Sequence, residues 1–307
     1  MQRTISHCAL LVIAAVGCAW GQRQVAITFD DLPRGGDAVG SATSDREMTI
    51  KLLTPFQQQH LPLTGFVNEC HHTDELRGLL KLWIAAGAEL GNHTCSHLDL
   101  NSASLAEFET DITKGEAVTT DVMGRPPRFF RYPFLHTGQT LPVKDKIALF
   151  VKQRGYIMAP VTLDNDDYVF ARLYADKLAG RHNSEAARVL ATYVKYMESI
   201  FMFFEHWGST VTGHELRQIL LVHASQLNAD AMPQLLRMIL ERGYEVIPLG
   251  EALTDEAYQL REEYVGPMGI SWIHRWAMAK DMTVQQEPEA PEWVTAAYKQ
   301  LSNAANR

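Results

Sequence analysis

The sequence predicts an α/β protein built on a closed or nearly closed barrel of about seven parallel strands, and three observations carry that prediction. Short β-rich runs alternate with longer helical patterns; Gly87, Gly155 and Gly243 close helices just before the next run; and the apolar runs end in polar, ionisable residues. Repeated βα units put helices outside a parallel sheet, and this many in one large domain suggest closure into a barrel. Chemistry is then expected at the carboxyl ends of the strands.

Gln24 to Asp31 reads as the first strand, followed by a helical stretch from about Ser44 to Gln59, the strand Leu63 to Asn68 and the helix Asp74 to Gly87. "AELGNH", the helical "SLAEFETDITKGEAVTTDV", "RFFRYPF", "VKDKIALFVKQRG" and "YIMAPVTLD" continue the alternation. After an interruption come "ILLVHA", "MPQLLRMILERG", "YEVIPLG" and a helix "EALTDEAYQLREEY". The interruption, about 170–215, is longer than a βα connection needs. Within it Ser184 to Trp207 forms a long aromatic-rich helix, either a lid over the site or packing outside the barrel. Residues 22–253 therefore read as the barrel, and 254–307 as an extension of an amphipathic helix, a Pro-rich linker and a terminal helix.

At 307 residues, 46% hydrophobic and 21% charged, the composition is that of a soluble globular protein with a sizeable core. The net charge of -8, with no Lys/Arg-rich run, speaks against a nucleic-acid partner. Residues 1–21 have the layout of a signal peptide: Arg3, an apolar run from Cys8 to Ala19, then small residues ahead of Gln22. The run is too short to span a bilayer. An exported protein, periplasmic or secreted, is expected, with no transmembrane segment after signal removal. The competing reading is a lipid anchor on Cys18, which Ala15 disfavours. Only Cys70 and Cys95 remain after cleavage, bridged to each other or both free.

Five fragments carry ionisable residues to strand ends. "TFDD" sets Asp30 beside Asp31, a repulsive pair that a cation or proton would relieve. On extended backbone the two side chains point to opposite sides, one able to hold a metal and the other to act as a base. "HTCSH" spaces His93 and His97 so that both imidazoles can share a face. Two imidazoles and the Asp31 carboxylate make a three-ligand set with coordination positions left free. "RYPF" brings Arg131 to orient one carboxylate. "DNDDY" supplies Asp167, and "LVH" ends in His223, which facing such a carboxylate would be a tuned acid.

In this order the five fragments resemble the motifs of the polysaccharide deacetylase family, the NodB-homology carbohydrate esterases of family 4, over about Val25 to Leu253. The resemblance implies a distorted (β/α) barrel and a metal-dependent hydrolase that removes acetyl groups from N-acetylated or O-acetylated carbohydrate. It implies that Asp31, His93 and His97 hold one divalent metal, zinc first, with cobalt, nickel or manganese as alternatives. Asp30 becomes the general base, Arg131 its partner, His223 the general acid and Asp167 the residue that tunes it. Leu221 would line the pocket for the acetyl methyl, and Tyr132, Pro133 and Phe134 would contact substrate. Tyr168 stands where the family has Trp, and "LHTG" after the third motif adds His136 near the groove. Two rival readings are a catalytically silent carbohydrate-binding barrel and a mononuclear iron oxygenase using the same ligand set. The substrate and oligomeric state stay open.

Overall fold

The computed structural model describes residues 23–35, 42–71 and 73–305. The signal-peptide reading of residues 1–21 and the Cys18 anchor lie outside the described residues. In chain order the elements are β1 (Arg23–Leu32), α1 (Ala42–Gln59), β2 (Thr64–Val67), α2 (Asp74–Ala85), β3 (Glu89–Asn92) and α3 (Leu105–Met123). Then come β4 (Phe129–Phe130), a 3-10 turn at Pro133–Leu135, α4 (Leu141–Gln153), β5 (Ile157–Met158), α5 (Asp167–Ala179) and α6 (Asn183–Thr212). The chain closes with β6 (Gln218–His223), α7 (Gln226–Glu241), β7 (Tyr244–Val246), α8 (Leu249–Ala252), a 3-10 turn at Glu256–Gln259, α9 (Trp272–Ala279) and α10 (Glu292–Ala305).

β1 is the hub. Its residues Val25 to Asp30 are buried, as a strand covered on both faces must be. Every pairing is parallel, in the order β5-β4-β3-β2-β1-β6, with β7 beside the first residues of β1. The sheet curls into a barrel left incomplete between β5 and β6, where a single bridge joins Leu163 to Leu220. That matches the expected barrel of about seven strands, with β4 and β5 shortened to two residues each.

The C-terminal extension stoppers the incomplete side. The Trp272 N–H donates to the Val161 carbonyl at 2.8 Å and the Ser271 hydroxyl to the Thr162 carbonyl at 2.8 Å. Arg275, 1% exposed, donates to the Leu135 carbonyl at 2.6 Å and to the Thr137 hydroxyl at 3.1 Å, with its guanidinium 3.9 Å over the Trp272 ring. The extension thereby holds the loop after β4 in place.

Two expectations are corrected or decided. The helix "EALTDEAYQLREEY" does not form: α8 ends at Ala252, and Asp255 sits in extended geometry, its carboxylate accepting from the N–H groups of Ala257 and Arg217. A side chain that captures backbone donors this way competes with helix continuation. The long helix α6 is packing and not a lid. It lies against α5, α7 and α9, and its aromatic face, Tyr193, Phe201, Phe204 and Trp207, is buried in the main core.

Gly115 in the middle of α3 marks a close approach between that helix and the loop after β3. A Cβ there would stand 2.4 Å from the Thr94 carbonyl oxygen and 2.6 Å from the Asn92 side-chain oxygen. Glycine to alanine inside a helix ordinarily stabilises by about 1 kcal/mol. Here the Gly115→Ala variant is expected to lose about 1–3 kcal/mol instead, because backbone must move. Urea unfolding reads the sign, and a gain in midpoint would show the approach to be wrong.

Candidate active site

The ionisable residues converge where the strands of the barrel end. β1 carries Asp30 into the site, 2% exposed, and Asp31 follows it at φ 61. This left-handed step coincides with a register shift against β2 between Phe29 and Leu32. The extended alternation expected for the pair is therefore broken. Both carboxylates turn toward His93, whose Nε2 lies 3.8 Å from an Asp30 oxygen and 3.6 Å from an Asp31 oxygen.

His93 follows β3 and is 1% exposed. Its Nδ1–H donates to the Arg131 carbonyl at 2.9 Å, which fixes the tautomer and leaves Nε2 facing the carboxylates. Burial first, then His97, push its pKa well below the usual imidazole value, so the ring stays neutral as a ligand must. His97, at φ 55, brings its Nε2 to 3.3 Å from the same Asp31 oxygen. The ligand atoms of Asp31, His93 and His97 all lie within 4.8 Å of one another. Two imidazole nitrogens and a carboxylate in this compass fit a divalent metal.

Arg131 and Asp30 form a buried ion pair behind the ligands. The guanidinium, wholly buried, donates from Nη1 to both Asp30 oxygens at 3.1 and 3.2 Å and from Nη2 to the Thr28 hydroxyl at 3.1 Å. It also lies 4.4 Å over the Phe66 ring. Burial raises the Asp30 pKa despite the opposing pull of Arg131, the direction wanted in a general base.

On the other side His223 ends β6, level with Asp30 on β1. Its Nδ1–H donates to Asp167 at 2.7 Å, and its Nε2 points to Asp31 at 3.9 Å. Burial alone would lower its pKa, but the Asp167 carboxylate beside it, then Asp31 and Asp30, carry it up to about 10. Asp167 is held in turn. It accepts from the His223 N–H and from the Asn228 amide, both at 2.7 Å, and Asn228 accepts from the Tyr193 hydroxyl at 2.7 Å.

The remaining sequence candidates divide. Leu221, 5% exposed, lies on β6 beside Thr28 of β1. Phe134 is 50% exposed, with its ring 4.3 Å from that of His97, and Pro133 is buried in the 3-10 turn. The Tyr132 ring is buried among Phe108 and Phe130, which leaves its backbone as the part that could meet a substrate. Tyr168, half exposed, has its ring 6.4 Å from His223 and 6.0 Å from Tyr298 of α10. His136 is tied to Asp99 at 2.7 Å.

Sequence reasoning missed Asn68, which donates to Asp31 at 2.8 Å, and Asp111, whose carboxylate takes the N–H groups of Cys95 and Ser96. Neither belongs to a fragment with its own signature, although Asn68 directly follows β2, in the kind of position where the other site residues lie. Cys70 and Cys95 are joined in a disulfide.

Residues 19–156 match the family described as polysaccharide deacetylase. A peptidoglycan-N-acetylglucosamine deacetylase of Bacillus cereus is 29% identical over 115 residues, which are 38% of this chain and 38% of that protein. The match thus spans well under half the length of the relative. A chitin deacetylase from Colletotrichum lindemuthianum has a similar structure, with TM-score 0.54 and 21% identity over 76% of this chain and 89% of that one. A mutant of a carbohydrate esterase family 4 pseudoenzyme, known in wild type from Bacillus anthracis, aligns with TM-score 0.51 and 16% identity, over 77% and 69% of the two chains. At such identities the structural likeness speaks for the fold alone. Over residues 19–156 the chain is thus similar in sequence to the polysaccharide deacetylase family, and its curled parallel barrel is similar to the fold of the chitin deacetylase.

Proposed function

We propose that the protein is a metal-dependent hydrolase that removes acetyl groups from N-acetylated or O-acetylated carbohydrate. The observation that carries this reading is the joint placement of Asp31, His93 and His97 beside two further ion pairs, Arg131 with Asp30 and His223 with Asp167. A divalent metal on the three ligands, zinc first, would supply Lewis acidity toward the acetyl carbonyl and toward water.

The chain's own groups supply the rest. Asp30, oriented by Arg131, takes a proton from the attacking water. The Tyr132 backbone N–H would help to stabilise the oxyanion. His223, kept protonated by Asp167, gives its proton to the departing amine or alcohol. Leu221 faces the acetyl methyl, while Phe134 and Tyr168 offer half-exposed rings to a sugar. Export to the periplasm or beyond fits a carbohydrate substrate of that kind. The iron oxygenase reading is not carried forward, because the parallel barrel replaces the β-rich double sheet on which such sites commonly sit.

Acetate release from a panel of acetylated sugars, measured with and without chelator, tests the reading. Expected is release that a chelator stops and added zinc or cobalt restores. Sugar binding without release by the metal-loaded protein would instead favour the silent barrel.

A further inference from the structure

The ligand loops are held in backbone conformations they would not choose. Asp31 has φ 61, Thr94 φ 66 and His97 φ 55, all in the left-handed region that non-glycine residues avoid. Such geometry persists only where the surroundings over-determine it. One covalent link joins the Thr94–His97 loop to the loop after β2. Cys70 follows β2 in the loop that begins with Asn68, and Asn68 donates to the Asp31 oxygen shared by both histidines. Cys95 lies between His93 and His97, is 3% exposed, and is bonded to Cys70 with the two Cα atoms 4.7 Å apart.

Asp111 of α3, 7% exposed, completes the clamp. One of its oxygens accepts from the N–H groups of Cys95 at 3.1 Å and Ser96 at 3.0 Å, and the other from the Ser96 hydroxyl at 3.0 Å. The segment between the two histidines is thus tied at its middle to the loop after β2 by the disulfide and to α3 by the carboxylate.

We propose that the Cys70–Cys95 disulfide and Asp111 are positioning residues for the metal, fixing the His93–His97 loop and, through Asn68, Asp31 in the geometry that binds it. The inference rests on the proposed metal dependence. Residues that orient ligands without touching the ion typically change metal affinity 10-fold to 100-fold when removed. The disulfide also keeps both sulfurs out of the ligand set. Reduction would release two thiols within reach of Asp111, able to hold zinc themselves, so alanine substitution is the cleaner probe.

The test is the zinc affinity of metal-free protein, read by competition with a chromophoric chelator, for wild type, Cys70→Ala/Cys95→Ala and Asp111→Asn. Thermal unfolding is followed in parallel. Glu205→Gln serves as a control, since it weakens the remote pair with Arg242 and destabilises without touching the site. Expected is a 10-fold to 100-fold weaker Kd in both site variants and none in the control at a comparable loss of Tm. Site variants that bind zinc as tightly as wild type would overturn the proposal while leaving the proposed activity standing. A wild type that binds none of zinc, cobalt, nickel and manganese would overturn both. If the double alanine variant does not fold, the Asp111→Asn affinity decides.

Discussion

Asp30→Asn is expected to cut acetate release by about 10³-fold while leaving zinc affinity near that of wild type. Asparagine keeps the shape and can still accept from Arg131, but it cannot take a proton from water. Burial raises the Asp30 pKa, so wild-type activity should decline as pH falls through that raised value and the carboxylate protonates. The residual activity of the variant should lack that acidic limb. Rates on a soluble acetylated oligosaccharide, with bound metal measured on the same samples, check both parts. Retention of activity within tenfold would remove Asp30 from the role of base.

Arg131→Met should be costly to stability as well as to rate. It strands a buried carboxylate without its counter-charge, a change typically worth about 3–5 kcal/mol. The sign with pH follows from the unpaired acid. Without Arg131 the Asp30 pKa rises further, and protonation relieves the charge, so the deficit relative to wild type should shrink as pH falls. Chemical denaturation at several pH values measures it. The same substitution made on Asp30→Asn should cost markedly less, because no charge is left to strand. Equal costs in the two backgrounds would show that the guanidinium acts through packing over Phe66 and not through the ion pair.

The site was legible where chemistry coincides with strand ends. Asp30, Asp31, His93, Arg131 and His223 each follow or close an apolar run, and the topology of a parallel barrel gathers such positions at one rim. What escaped depends on where the chain goes next. The left-handed turn at Asp31 overrides the alternation of an extended strand, and no residue type announces it. Phe108 and Phe130, from elements before it in sequence, claim the Tyr132 ring for the core, a contact that the fragment alone does not announce. The broken helix after Ala252 has the same origin: Asp255 answers a donor on Arg217, 38 residues away. Asn228 and Asp111 act through other side chains or the backbone, and local pattern is blind to such partners.

The stopper that the C-terminal extension places between β5 and β6 gives the protein a late-closing fold. Ser271 reaches back 109 residues to Thr162, and Arg275 reaches back 140 residues to Leu135. Contacts so distant along the chain meet the full entropy of loop closure and form after the local βα units. The first strands can therefore assemble, and the proposed metal ligands beside them draw together, while the loop after β4 still lacks the residues that hold it. During synthesis the candidate acid–base and ligand residues precede their own keystone, and the rim of the site gains these hydrogen bonds only once residues 271–275 have been made.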